Sequence, residues 1–334
     1  MSMRVSIHTE RWATRRPFRI ASYPPVVEAT VAVVELHEGS VCGRGEASGV
    51  YYKHETPARI VDQVKDLVDA GAINSGLDRI SLQTILPAGG ARNALDCALW
   101  ELEARRSGQP VWKLAGLPSP RPLLTTYTIG ADTPAEMAAQ ALRFADARAI
   151  KLKLTGEAED ADRVRAVRAA RSDVWLAVDA NQGFTPDSLD VLMSVLVAAR
   201  VSLIEQPFPI GRERDMQGLQ SPIALAADES AQTVDDLEPL VGLFDIVNIK
   251  LDKSGGLTHG LAMAREAQRL GLRTMVGNMG GTSWAQAPAF LIGQCCEVVD
   301  LDGPLLLAGD RTPGVVYRDG LVHCPDEVWG GPSH

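Results

Sequence analysis

From residue 123 onward the chain repeats one pattern, a short apolar run followed by an amphipathic segment, and this repeat limits the folds open to it. The runs cover 123–129, 150–154, 175–180, 203–206, 223–228, 245–251, 273–278 and 297–302. Their starts lie about 20 to 28 residues apart, room for one strand and one returning helix. Helices are predicted over 158–171, 186–199, 257–270 and 283–293, with others beginning near Pro134 and Thr233 and a shorter return after the fourth strand. Eight parallel strands with intervening helices make an α/β barrel. A doubly wound open sheet is the alternative, but the Gly-rich phosphate turn that often marks one is absent after the first strand.

The chain before residue 123 reads differently. Residues 4–8, 26–36 and 41–46 alternate as strands of an antiparallel meander, with loops at 17–25 and 47–57. Ile60, Val61, Val64, Leu67 and Val68 recur at helical spacing, and 93–106 is a second amphipathic helix stopped by Gly108-Gln109-Pro110. A linker with three prolines, 117–122, places a boundary there. The division is therefore 1–117, 118–309 and 310–334. The last part reads as a β hairpin returning to the N-terminal sheet.

Net charge is −9 over 334 residues, which excludes nucleic acid as a main partner. No apolar stretch is long enough for a membrane span, and no signal peptide is read at the N-terminus. Five cysteines without a CxxC pair suit free thiols in a reducing compartment, so a cytoplasmic location is expected.

In such barrels the chemistry sits at the C-terminal ends of the strands. The second strand carries Lys151 and Lys153, two apart and so on one side. Two ammonium groups there repel, which lowers the pKa of one or both and makes a usable base. Solvated lysines of an edge strand are the plainer reading of that stretch. Strands three, four and five end with Asp179, Glu205 and Asp228. Each alone could cap a helix, but three converging carboxylates call for a divalent cation. Oxygen-only ligands with room for substrate suit Mg²⁺, with Mn²⁺ possible. Lys250 on the sixth strand lies across the barrel from Lys153. A base on each side of one carbon, beside a metal, moves a proton on a carbon acid next to a carboxylate.

These residues, as Lys151-Leu-Lys153, Asp179-Ala-Asn181, Glu205-Gln-Pro207, Asp228-Glu229-Ser230 and Lys250-Leu-Asp-Lys-Ser-Gly-Gly256, resemble the muconate-lactonizing subgroup of the enolase superfamily over essentially the whole chain. The resemblance implies a modified (β/α)7β TIM-type barrel with an N-terminal α+β capping domain completed by the C-terminal tail. It implies Mg²⁺ on Asp179, Glu205 and Asp228, Lys153 and Lys250 as the acid–base pair, and Lys151 tuning Lys153. Asp300 and Asp302, two apart on the eighth strand, face the mouth as an unneutralised pair suited to an ammonium group, and Asp300-Leu-Asp302-Gly-Pro looks like the signature of dipeptide epimerases. Where Ala-Glu epimerases present an Arg after Pro-Phe, this chain has Tyr23. Tyr23, Lys53, His54, Thr126 and Asn278 are taken as further substrate contacts. The reading is a dipeptide epimerase acting on a small-molecule substrate, with an N-acyl amino acid racemase or a cycloisomerase as alternatives within the superfamily and a non-catalytic binding barrel outside it. A homo-oligomer is expected.

Overall fold

The computed structural model describes residues 3–19, 24–73, 76–219 and 221–332. Strands β1 (Arg4–Phe18), β2 (Val26–Glu38) and β3 (Val41–Ala47) form an antiparallel sheet in that order. Strand β1 runs on through Pro17 to Phe18, which pairs with Val26 past a register shift, so the loop expected from residue 17 begins later. Helix Pro57–Asp69 starts under Thr56, whose side chain accepts from Arg59 N, with Pro57 at its first position, where no backbone donor is needed. Helix Gly90–Ser107 lies directly on the sheet. Gly43 and Gly45 of β3 permit this approach, because a Cβ on them would stand 2.0 Å from Ala98 O and 1.9 Å from Ala94 O. Val34, Leu36, Ile60, Leu82, Leu95 and Leu102 fill the space between.

After the prolines, β4 (Leu123–Leu124) precedes the barrel strands β5 (Thr126–Ile129), β6 (Ala149–Lys153), β7 (Trp175–Asp179), β8 (Val201–Glu205), β9 (Ala224–Ala227), β10 (Ile246–Ile249), β11 (Arg273–Val276) and β12 (Val298–Val299). They make one eight-stranded parallel sheet in sequence order. Side chains alternate across each strand. Outward-facing Ile150, Leu152, Val178, Ile204, Val247 and Ile249 join the main core beneath the helices. Inside, Ala177, Leu203, Ala226, Ile246 and Met275 form a separate apolar plug. The residues two further along three of these strands are Asp179, Glu205 and Asp228, so the plug is the floor under a charged ring.

Helices Pro134–Arg143, Asp160–Ala170, Pro186–Ala198, Leu257–Arg269 and Ser283–Gly293 return the chain. Proline at the first turn and threonine caps at Thr133 and Thr185 start two of them. The helix expected from Thr233 is absent. Two 3-10 turns, Val234–Asp236 and Glu238–Leu240, stand there, since Pro239 has no N–H to continue a helix and Gly242 turns the chain at φ 81°.

No backbone ladder joins β12 to β5 among the described residues. Side chains clasp the seam instead: Leu301 N donates to Thr125 Oγ1 (2.9 Å), Thr128 N to Asp302 Oδ2 (2.5 Å) and Thr126 Oγ1 to Asp300 Oδ1. The tail hairpin, β13 (Val316–Arg318) and β14 (Leu321–His323), pairs with β4 rather than with the N-terminal sheet. The expected return to that sheet is corrected accordingly. The tail reaches the cap on either side of the hairpin: Arg311 Nη2 meets Glu10 Oε2 (2.8 Å) before it, and after it Trp329 Nε1 donates to Arg44 O (2.8 Å) and Val111 N to Gly330 O (2.8 Å).

The cap is keyed to the barrel by polar contacts. Asp252 Oδ1 accepts Ser48 N and Gly49 N, both at 2.9 Å. Buried Glu46 accepts Thr282 N (2.6 Å) and Arg311 Nη2 (2.9 Å). Asp96 Oδ2 accepts Thr258 N (2.9 Å), supplying from the cap a carboxylate for the start of helix Leu257–Arg269, which has no side-chain cap of its own. These contacts set the 50–55 turn over the barrel mouth.

Gly45→Ala should lower stability by about 1–3 kcal/mol, because the added methyl meets helix backbone that cannot yield. Urea unfolding of the two proteins side by side measures it, and an unchanged midpoint would contradict the packing described.

Candidate active site

Lys151, Lys153, Asp179, Glu205, Asp228, Lys250, Asp300, Asp302 and Thr126, all singled out in the sequence, are brought together in the mouth of the barrel. On β6, Lys153 Nζ meets Asp179 Oδ2 at 2.6 Å. Lys151 Nζ lies 3.4 Å from that same oxygen, 3.2 Å from Glu205 Oε2 and in close contact with Asp300 Oδ2. Four strands away, Lys250 Nζ, just past β10, meets Asp228 Oδ2 at 2.6 Å. Asn248, two residues before Lys250 and on the same side, donates to Glu205 Oε1 (2.7 Å). Lys253, in the turn Leu251–Ser254, donates to Asp228 Oδ1 (2.6 Å), Asp228 O (2.5 Å) and Asn248 O (2.9 Å). All these side chains are buried.

Burial and neighbouring charge divide the titratable groups. Burial pushes Asp179 up, but Lys153, Lys151 and Lys250 outweigh it and hold it below the usual carboxylate range. Asp228 is held well below that range by Lys250 and Lys253 against the same burial. Glu205 goes the other way, to about 7, through burial and the charge of Asp179. Glu229 is raised to about 8 by burial and Asp228. Lys151 and Lys250 remain firmly protonated, since Asp300 and Asp228 respectively overcome the cost of burial. Repulsion within the lysine pair was expected to weaken the hold on a proton, but for Lys151 the three carboxylates around it reverse the effect.

The ring is therefore short of positive charge. Three acceptors, Asn181 Oδ1, Glu229 Oε2 and Asn248 Oδ1, are buried without a hydrogen-bond partner. Oxygen ligands, surplus negative charge and orphaned acceptors suit a hard divalent cation such as Mg²⁺. Among the described residues no three His, Cys, Asp or Glu side chains are gathered as a ready metal cage. Lys153 sits on Asp179 Oδ2 and Lys250 on Asp228 Oδ2, and an ion held by Asp179, Glu205 and Asp228 would take those oxygens from them.

The eighth strand end departs from expectation in one respect. Asp300 is not unneutralised: Lys151 and Thr126 hold its oxygens, and it stays below its ordinary range, Lys151 outweighing burial. Asp302 is held by Thr128, whose N–H donates to Oδ2, and burial with the charge of Asp300 raises it to about 6. Among the described residues it is the member of the pair without an ion pair. Asn278 is half-buried and ties the seam, its Nδ2 donating to Asp300 O (2.8 Å). Lys53 and His54 stand exposed on the cap turn, with no side-chain hydrogen bond among the described residues. Tyr23 lies outside the described residues.

Two cavities open beside the ring. A cavity of about 520 Å³ reaches Thr128 from the side of Arg19 and Leu305, and another of about 510 Å³ reaches Lys253 past Lys53 and Glu55. Tyr52, whose hydroxyl accepts from Gln232 Nε2 (2.7 Å), covers the Asp228 side. Sequence reasoning missed Asn248, Lys253 and Thr128. Asn248 and Thr128 follow from alternation with Lys250 and Thr126, but Lys253 points inward only because the chain turns helical at Leu251.

An eight-stranded parallel barrel with buried carboxylates on three consecutive strand ends and lysines on both sides defines a class of metal-assisted proton-transfer site. The chain belongs to the mandelate racemase/muconate lactonizing enzyme group of the enolase superfamily: residues 2–116 match the mandelate racemase/muconate lactonizing enzyme N-terminal domain and 136–329 the enolase C-terminal domain-like family. It is 39% identical to the L-Ala-D/L-Glu epimerase of Escherichia coli K12, over 96% of this chain and 99% of that one. It is 38% identical to the N-acetyl-D-glutamate racemase of a Pseudoalteromonas species, over 86% and 91%. A solved enolase family member from Agrobacterium tumefaciens with homology to dipeptide epimerases, holding sodium and L-Ala-L-Glu, superposes with a TM-score of 0.93 at 41% identity, covering 98% of this chain and 100% of that one. The dipeptide epimerase of Methylococcus capsulatus, complexed with Mg and L-Arg-D-Lys, gives 0.89 at 30%, covering 97% and 98%.

Glu205 and Glu229 have folded pKa values above the ordinary carboxylate range, so their contribution favours folding at low pH and is lost as pH rises towards 7 and 8. A cation binding the ionised ring reverses that loss. The rise in melting temperature on adding MgCl₂ should be larger at pH 8 than at pH 5.5. A rise at neither pH, or a larger one at pH 5.5, would contradict the assignment.

Proposed function

We propose that the chain is a Mg²⁺-dependent dipeptide epimerase, an isomerase that moves the α-proton of the C-terminal residue from one face to the other. The observation that carries this is the placing of Lys153 and Lys250 four strands apart, each on its own carboxylate, with Asp302 short of a cation at a third point of the ring. Held by Asp179, Glu205 and Asp228, Mg²⁺ supplies positive charge to the substrate carboxylate and so makes the neighbouring C–H more acidic.

The residues of the chain do the rest. With an ion on Asp179 and Asp228 taking over the charge that holds the lysine protons, Lys153 or Lys250, then as the neutral amine, takes the α-proton from its side. The opposite lysine, as ammonium, delivers a proton to the other face, and the carbon is inverted with no net change in protons. Lys151 does not take part in transfer; its charge holds Asp300 and Glu205 in place. Asp302 receives the substrate ammonium, which brings the charge that it lacks. Thr126 and Asn278 hold Asp300 and so support that end of the substrate. Lys53, His54 and Tyr23 belong to the same proposal as contacts for substrate side chains. The names of the relatives make L-Ala-L-Glu the first substrate to assay. The same reading takes the chain as a cytoplasmic homo-oligomer, with Mn²⁺ able to replace Mg²⁺.

A second reading, N-acyl amino acid racemase, is favoured by the Pseudoalteromonas relative and by the neutralisation of Asp300. An N-acyl substrate brings no ammonium. Asp302→Asn should therefore cost a dipeptide at least tenfold in kcat/KM and leave an N-acyl substrate nearly untouched; a wild type that turns over the N-acyl substrate far faster than the dipeptide, with Asp302→Asn changing neither, selects the racemase.

In D₂O with Mg²⁺, Lys153→Ala should abolish α-proton exchange from one epimer and Lys250→Ala from the other. Net epimerisation should fall by about 100-fold or more in both. Full epimerisation with Lys153→Ala would sink the proposal.

A further inference from the structure

Each of the two lysines that flank the ring has a second lysine on the carboxylate it pairs with. Asp179 Oδ2 receives both Lys153 (2.6 Å) and Lys151 (3.4 Å). Asp228 is divided differently: Oδ2 goes to Lys250 and Oδ1 to Lys253, each at 2.6 Å. The side chain of Lys253 is 0% exposed. Its ammonium has three donors, and they are used on Asp228 Oδ1, Asp228 O and Asn248 O. It has no proton left to offer a substrate, so it does no acid–base work itself.

What it controls is the orientation of Asp228. With Oδ1 and the backbone carbonyl of the same residue both pinned, the carboxylate cannot turn, and only Oδ2 faces Lys250. Without Lys253, Oδ1 is left buried with no donor, a costly state. The carboxylate is then free to turn, so that Oδ2, the oxygen an ion would take from Lys250, loses its fixed place and the Lys250 ammonium beside it is no longer directed at the substrate position. On the other side Asp179 Oδ1 is held by the backbone N–H of Asn181 (2.9 Å), so that half needs no such lysine.

We propose that Lys253 is a positioning residue for the Lys250 half of the proton transfer, acting through Asp228. This rests on the epimerase reading above. A plain strut between the ends of β9 and β10 would lower stability and treat the two epimers alike. A positioning residue for one lysine treats them unequally.

The test compares Lys253→Met and Lys253→Gln with the wild type as Mg²⁺-loaded protein in D₂O, following α-deuterium uptake from each epimer of L-Ala-Glu separately. Lys250→Ala identifies the epimer that depends on Lys250. Exchange from that epimer should fall at least tenfold more than exchange from the other, chiefly in kcat. Mg²⁺ binding, titrated by calorimetry, should persist in both variants. Equal losses from the two epimers, no loss, or disappearance of Mg²⁺ binding would overturn the assignment, as would failure of both variants to fold, which would make Lys253 a strut. A wild type that exchanges neither epimer would instead defeat the epimerase reading, an outcome visible before any variant is made.

Discussion

Asp228 and Asp179 each share their charge between two buried ammonium groups, and the barrel mouth is arranged around that sharing. Removing one partner of a buried ion pair costs about 3–5 kcal/mol, because the other is left charged away from water. The ring tolerates so many charges because each lysine has a carboxylate within reach and each carboxylate has further donors. It is not balanced, however. Glu205, Glu229 and Asp302 are all pushed towards the protonated form. These are the points where a cation or a substrate ammonium gains most, so the imbalance that weakens the protein alone favours the ligands it binds.

The rest of the fold serves this ring. The apolar plug of Ala177, Leu203, Ala226, Ile246 and Met275 closes the barrel beneath it and excludes water from below. The seam between β12 and β5 has side-chain clasps instead of a ladder, and two of those clasps end on Asp300 and Asp302. Closing the barrel and aiming the substrate end are therefore one set of contacts. The cap adds a wall through the 50–55 turn, which Asp252 anchors by the backbone of Ser48 and Gly49.

Much of this was legible in the sequence, because strand alternation is a strict rule. Lys151 and Lys153, Asp300 and Asp302, and the strand-end positions of Asp179, Glu205 and Asp228 follow from period two and from the place of chemistry in such barrels. The charge state of the lysine pair did not follow. Repulsion between two neighbours is visible in sequence, whereas the approach of Asp300 to Lys151 joins the eighth strand to the second across a seam. Lys253 was hidden for a related reason: its direction depends on one helical turn after Lys250. The tail hairpin was recognised as a hairpin, but its partner β4 is only two residues long and carries too little pattern to announce itself.

The most direct test of the account is a crystal structure of the Mg²⁺ complex with L-Ala-L-Glu. The account predicts the ion on Asp179, Glu205 and Asp228, the substrate ammonium on Asp302, and the Nζ atoms of Lys153 and Lys250 on opposite faces of the glutamyl α-carbon. A complex in which both lysines approach one face, or in which either still sits on its carboxylate with the substrate bound elsewhere, would contradict it.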